Sequence, residues 1–462
     1  MVDANPDLST LYAWGLLMYC KFPEVSDRVR IARQNAHISP NAARLRAELD
    51  VIALWISVVE THDPGDVELT PALIAELPRD NPEILGYAYT GLGYFTRRKV
   101  GLDKALAQYH SAVAMTNECA NANLLARYNV AYTLYLKAQL PESEKFVRAT
   151  LNDVVTLGWD RFTGVAFMKS MLALILLEKN CPGEALSEIS EAIAILETTA
   201  NRAFFGVALA ARAQILFALG RNADAEVDLE SAVFEGMSRN LRRVVQKAAL
   251  IRAVELLMRG ELDAADAELQ QMPPVETRAP DRYSETADMV AIVALRILFE
   301  RGEYAVVRER AARLLEHANR FGQRRRGMEF EMLMQLAEYS LNEAAATLDA
   351  MRALVAEGDA GGVVRPLRMI STKVHALFPE WKSGTAAAGE APGGGQQKLA
   401  LQQRELQIIR LIAQGYGNRD VGKLLYIGEE TVKWYLKMLY RKLGVTNRMG
   451  AVDCARRMGL LT

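Results

Sequence analysis

The chain has 462 residues, half of them apolar, and 55 Lys and Arg against 56 Asp and Glu give a formal charge of −1. That composition supplies ample core, yet no apolar run reaches the roughly 18 residues of a membrane span, and Met1 to Pro6 lacks the basic and apolar regions of a signal peptide. Cys20, Cys119, Cys181 and Cys454 are scattered, as are the five histidines, so spacing suggests neither a disulfide framework nor a metal site. The expectation is a cytoplasmic protein with reduced thiols, no cofactor and no membrane partner.

A helical unit is expected first at Tyr12 to Ala32. A repeat then begins. Aligning the chain on Gly93, Ala131, Ala173, Ala213 and Ala253 gives spacings of 38, 42, 40 and 40 residues. Three residues after each comes Thr96, Leu134, Leu176, Leu216 and Leu256. Twelve after each comes Ala105, Ser143, Ala185, Ala225 and Ala265. Four further on are Tyr109, Val147, Ile189, Leu229 and Leu269, and three more give Ala112, Thr150, Ala192, Ala232 and Met272. Small residues let paired helices approach, and large ones fill the gap to the next pair. Gly101, Pro141, Pro182-Gly183, Gly220, Gly260 and Gly302 read as the turns between the helices of a pair. A sixth unit comes loosely around Leu295 to Leu314, and a degraded one runs from Glu329 to Val355.

Lys382 to Gln397 is small and Gly-rich, and reads as a flexible linker reaching ~20 Å on average. It is either a plain tether or a device that lets the repeats mask and release the terminal segment. The expected domains are therefore 1–381, the linker 382–397, and 398–462.

The terminal segment reads as four short helices. Leu401 to Ala413 carries Leu406, Ile409, Ile412 and Ala413 on one face, and Gly415 stops it. Asn418 to Leu425 is the second, with Val421, Leu424 and Leu425 inward. Gly428 turns the chain into a third helix near Glu429 to Arg441, where Lys433, Lys437 and Arg441 repeat a cation every four residues, with Lys442 next. The fourth runs from Asn447 to Met458. From Lys398 onward there are twelve Lys and Arg against five Asp and Glu, a balance of +7 that leaves −8 for the first 397 residues. A basic end on an acidic body suits contact with nucleic acid.

Arg404-Glu405, Leu411-Ile412-Ala413, Gly415, Asn418, Val421, Thr431-Val432-Lys433, Lys442-Leu443-Gly444-Val445 and Asn447-Arg448 carry a resemblance. The last 65 or so residues resemble the LuxR-type (GerE- or NarL-like) helix-turn-helix domain, without insertion. The departures are Gln402, Gly417, Gly422 and Gly428 where the family usually has a cap, Ser, Ala and Ser, and Tyr435 where it usually has His, which would alter groove preference. The repeats resemble the tetratricopeptide repeat lengthened to about 40 residues, as in MalT-like regulators. Those regulators also carry a nucleotide-binding domain, and no Gly-x-x-x-x-Gly-Lys-Ser/Thr run occurs here. The chain is read as a shortened relative or a piece of a larger regulator.

The expected fold is all-α: a tetratricopeptide-like superhelix followed by a four-helix LuxR-type domain. The resemblance implies double-stranded DNA as partner, with Lys433, Trp434 and Lys437 reading base edges and Thr431, Arg441 and Lys442 meeting phosphates. It also implies a homodimer on DNA through the fourth helix and contact with RNA polymerase. Trp434 could instead pack within the domain, and Val452 and Ala455 fit core and dimer surface equally. A groove lined by Tyr94, Arg97, Tyr128, Tyr132 and Tyr135 is a candidate site for a small-molecule or protein effector, although these tyrosines could simply pack between repeats. Arg324-Arg325-Arg326 reads as a solvated face, or alternatively as a contact to an anion or the DNA flank. No nucleophile–base pair suggests an enzyme. The expected function is a transcriptional regulator, an activator in the sense the family implies, with a helical-repeat scaffold as the alternative.

Overall fold

The computed structural model describes residues 2, 5–18, 22–61, 69–275, 281–381, 403–425 and 429–461. The expected linker and Gly428 lie outside the described residues. The chain divides into two compact units, Met1–Ala388 and Gly389–Thr462. All regular structure among the described residues is helical apart from one isolated bridge residue at Arg282.

The first unit opens with α1 (Pro6–Met18), α2 (Phe22–Asn35), α3 (Ala42–Thr61) and the short α4 (Pro71–Ala75). Among the described residues seven antiparallel pairs come next: α5 (Pro82–Lys99) with α6 (Leu102–Met115), α7 (Ala120–Leu136) with α8 (Leu140–Thr156), and α9 (Gly164–Glu178) with α10 (Pro182–Glu197). Then come α11 (Arg202–Ala218) with α12 (Asn222–Ser238), α13 (Arg242–Met258) with α14 (Leu262–Gln271), α15 (Glu285–Glu300) with α16 (Tyr304–Arg320), and α17 (Arg324–Asn342) with α18 (Ala345–Gly361). The short α19 (Arg365–Arg368) and α20 (Thr372–Leu377) close the unit.

The repeat register places the core. Ala131, Ala173, Ala213 and Ala253 on the first helices are fully buried, as are Ala105, Ala185, Ala225 and Ala265 on the second. The first pair trades sizes: it has Gly93 where the others have alanine, and Tyr109 where they have Val147, Ile189 and Leu229. A Cβ on Gly93 would come within 2.4 Å of the Tyr109 ring, so the missing methyl makes room for the larger partner. The turns also keep a register. Gly220, Gly260 and Gly302 take the left-handed conformation after their helices, but Ala138 and Asn180 adopt it in the second and third pairs. Pro141 and Pro182 are therefore not the turns themselves. They lie in the first turns of α8 and α10, where a fixed φ and a missing N–H cost nothing.

The array winds far enough to return to its start. The backbone N–H of Tyr283 donates to the carbonyl of Arg98 at 2.8 Å, and that of Leu102 donates to Phe321. Gly361 lies against the Ala138 carbonyl and Gly362 against Leu140. Arg365 donates to Asn180 Oδ1 across 185 residues.

The second unit holds α21 (Gln403–Ala413), α22 (Asn418–Leu425), α23 (Glu429–Lys442) and α24 (Arg448–Arg457). Its core joins Ile408, Ile409, Ile412, Val421, Leu439 and Ala455, among others. Asn447 caps α24 by accepting from Gly450 N at 2.8 Å, worth ~1 kcal/mol. Gly415 and Gly444 take the left-handed turns after α21 and α23. One inward assignment fails: Leu424 is 50% exposed. The buried side of α22 is Val421 and Gly422, and at ~100° per residue position 424 lies roughly 110° from their midline.

Candidate functional site

The first helices of successive pairs turn the same face toward a common interior. One register position reaches it in every one of the five aligned repeats, six residues before the small residue: Tyr87, Leu125, Phe167, Val207 and Lys247. Together with side chains from α1, α3 and α15 they line a cavity of about 240 Å³. Of the residues expected from the sequence, Tyr94, Arg97, Tyr128 and Tyr132 line it.

Tyr128 and Tyr132 stack at 5.8 Å, one helical turn apart on α7. Tyr128 meets Phe167 and Phe204 edge-on, and those two rings lie 4.1 Å apart. The guanidinium of Arg97 sits over Tyr94 at 4.7 Å and Tyr132 at 5.2 Å, an arrangement that favours a cation at the ring faces. The Tyr132 hydroxyl donates to the Glu285 carboxylate at 2.5 Å. Burial pushes that carboxyl up, but the charges of Arg326 and Arg97 and the Tyr132 hydrogen bond outweigh it and hold it below its ordinary value. Burial pushes the Lys247 ammonium down to about 8, with the charges of Arg326, Arg243 and Arg325 adding to the shift and Glu285 opposing it.

Tyr135 does not belong to this cavity. It stacks on Tyr132 at 5.9 Å, and its hydroxyl donates to Glu178 Oε1 at 2.7 Å. Glu178 also receives Arg325 from α17, across 147 residues. Arg325 and Arg326 both reach Glu329, at 3.2 and 2.5 Å. The run Arg324 to Arg326 is therefore neither a solvated face nor an anion site. Arg325 and Arg326 are 5% and 8% exposed, because the returning array covers them, while Arg324 pairs with Glu331 and Glu357.

Sequence reasoning missed Phe167, Phe204, Arg243, Lys247 and Glu285. Following the repeat six residues back from each small position would have found Phe167 and Lys247. Nothing in the pattern marks Glu285, which enters as the first residue of α15.

In the terminal unit, α23 divides cleanly. Val432, Tyr435, Leu436, Leu439 and Leu443 are buried, in the i, i+3, i+4, i+7 rhythm of one face. Lys433 and Lys437 are exposed on the other. Tyr435 is thus a core residue, 7% exposed, and not a determinant of groove preference. Its neighbours along the inward stripe, Val432 and Leu439, fix it there. The side chains of Thr431, Trp434, Arg441 and Lys442 lie outside the described residues. Ala455 is fully buried and Val452 half-buried. Arg448 ties α24 to the turn after α21 by donating to the carbonyls of Ile412 and Tyr416 and to Asn418 Oδ1.

Residues 64–380 match the family described as MalT-like TPR region, and residues 399–455 match the bacterial regulatory proteins of the luxR family. The HTH-type transcriptional activator RamA of Corynebacterium glutamicum is 42% identical over 66 residues, 14% of this chain and 24% of RamA. The HTH-type transcriptional regulator AlkS of Alcanivorax borkumensis is 40% identical over 58 residues, 13% of this chain and 7% of AlkS. The matched region thus spans about a quarter of RamA's length and less than a tenth of AlkS's. Among solved structures, a Rap protein complexed with Competence and Sporulation Factor is similar over 82% of this chain and 99% of that chain, at 12% identity and a TM-score of 0.46. The chain belongs to the proteins with a MalT-like TPR region, and carries behind it a DNA-binding domain of the luxR family of bacterial regulators.

Proposed function

We propose that this chain is a transcription activator of the cytoplasm, which reads double-stranded DNA through α23 and receives an effector in the cavity of its repeats. The observation that carries the reading is the division of α23. Its apolar face is spent on the domain core, which leaves Lys433 and Lys437 one turn apart on the outer face. Lysines so placed can donate to guanine O6 and N7 in a major groove. Trp434 would pack on a thymine methyl, and Thr431, Arg441 and Lys442 would meet phosphates. Dimerisation through α24 is supported by Met449, which is 75% exposed and lies one turn from half-buried Val452. Activation, and with it contact to RNA polymerase, is favoured by the activator RamA among the relatives.

Selection of the whole chain on a random DNA pool tests this reading. An inverted-repeat sequence is expected to be enriched. The double variant Lys433→Glu, Lys437→Glu should lose it, by ~1–3 kcal/mol per base-reading side chain, while its thermal unfolding stays unchanged. No enrichment by the native chain would sink the reading and leave a repeat scaffold that binds protein partners.

A further inference from the structure

Among the described residues three cations reach the cavity of the repeats, Arg97 from α5 and Arg243 and Lys247 from α13, against one carboxylate, Glu285. That carboxylate already accepts the Tyr132 hydroxyl on both oxygens. Arg97 is 4% exposed, and its Nη1 is buried with no hydrogen-bond partner. Two ring faces hold the guanidinium in place, but a ring face does not accept all of its N–H groups. Among the described residues neither Arg243 nor Lys247 has a hydrogen bond or an ion pair. They lie four residues apart on one face of α13, so their side chains can converge on one ligand.

Elsewhere the same array matches most of the cations its helices cover, with Arg296, 8% exposed, donating to the Met369 carbonyl and the Met258 sulfur instead. Arg212 is paired with Asp228, Arg202 with Glu235, and Arg325 and Arg326 with Glu178 and Glu329. Buried charge without a counter-charge is costly, and among the described residues the cavity gathers three cations around one carboxylate. Burial depresses the Lys247 ammonium to about 8, and Arg326, Arg243 and Arg325 add to the shift against Glu285. The volume admits a small ring. An apolar cavity of ~150 Å³ takes up benzene, so about 240 Å³ has room for one ring and a short acidic side chain.

We propose that this cavity binds a small organic acid, its carboxylate meeting Arg97, Arg243 and Lys247 and its aromatic or branched apolar body lying against Tyr128, Phe167 and Phe204. This rests on reading the cavity as the effector site. The acid supplies the missing counter-charge, and the aromatic wall supplies the apolar surface. An amine of the same shape would be repelled, and a neutral amide would leave the cations unmatched.

Calorimetric titration of the whole chain with 3-phenylpropanoate, benzoate and hexanoate, each beside its amide and amine, tests the proposal. At least one acid should bind, with its amide roughly tenfold weaker or worse and its amine silent. Lys247→Met and Arg243→Gln should each weaken the acid by roughly tenfold and leave the amide unaffected. Lys247→Met replaces a charge by an apolar side chain of similar length, so its fold should survive. Binding by none of the acids, equal binding by an amide, or acid binding indifferent to both substitutions would overturn the proposal. Repeating the titration with selected DNA separates the two readings. An acid that binds with the expected charge dependence but leaves DNA affinity unchanged upholds the acid site and removes the effector role. A neutral probe that shifts DNA affinity where the acids do not overturns the acid site and keeps the effector role.

Discussion

Where the array closes, Arg325 and Arg326 lie among Glu178, Glu329 and the Tyr135 hydroxyl. Along the same interior, Arg97, Arg243 and Lys247 have Glu285 as the one carboxylate among the described residues of the cavity. Both clusters are cationic and both are set among aromatic rings: Arg325 over Tyr135 at 4.9 Å, Arg97 over Tyr94 at 4.7 Å. They differ in the supply of carboxylates. A matched cluster can hold two parts of a fold together, since each charge satisfies another. An unmatched one contributes nothing to stability by itself and gains only when something anionic arrives.

The sharpest way to break this contrast is at the closure. Arg325→Ala should destabilise the repeat unit by about 3–5 kcal/mol, because it strands Glu178 in a buried site. Urea unfolding followed by circular dichroism measures it. A loss under about 1 kcal/mol would mean that the closing contacts behave like surface pairs.

Removing a cavity cation should do the opposite. Lys247→Met is expected to stabilise the unliganded chain at pH 7 by roughly 1–3 kcal/mol. Folding depresses the Lys247 ammonium from 10.5 to about 8, so between those values the unfolded chain binds more protons and native stability rises with pH. Burial is the main cause of the shift, with Arg326 and Arg325 on α17 and Arg243 on α13 adding to it and Glu285 on α15 opposing it. Tyr128 and Tyr132, raised by burial, act in the reverse direction only above 10. Denaturation midpoints at pH 7, 8 and 9 should therefore climb for the native chain and stay level for Lys247→Met. A native profile that is flat would contradict the imbalance.

The smallest effect concerns the ligand. An acid bound beside Lys247 favours the protonated ammonium, so its affinity should be constant below about 8 and fall above it by at most roughly tenfold per pH unit. Calorimetry at pH 7 and 9 reads this directly. Affinity that rises with pH would show that the carboxylate does not meet Lys247.

Much of the architecture was visible in the residues because repeats write their packing locally. Ala131 and Ser143, or Ala173 and Ala185, sit on neighbouring helices joined by one short turn, so spacing alone assigns them to a shared interface. The helix-turn-helix unit was visible for the same reason, down to the start of its fourth helix at Asn447. What stayed hidden depends on residues far apart in the chain. Arg325 looks like part of a solvated run until Glu178 is brought to it across 147 residues. Tyr135 points into the closure and not into the cavity for that reason, although it lies three residues from Tyr132. Leu424 was misjudged more simply: in a helix as short as α22, a small shift of the inward midline moves a side chain from core to solvent. Tyr435 was read from the family's usual His at that position, whereas the apolar stripe of α23 takes it into the core.

The return of the array to its own beginning changes what kind of repeat protein this is. An open solenoid can gain or lose a unit, since each unit answers only to its neighbours. Here the turns at Gly101, Ala138 and Asn180 receive Phe321, Gly361 and Arg365, so the number of units between them is fixed as the teeth of a closed gear are fixed. Duplicating a forty-residue unit would put every one of those partners out of phase. Variation among descendants of this fold is thereby channelled away from length and into the residues that face the hollow.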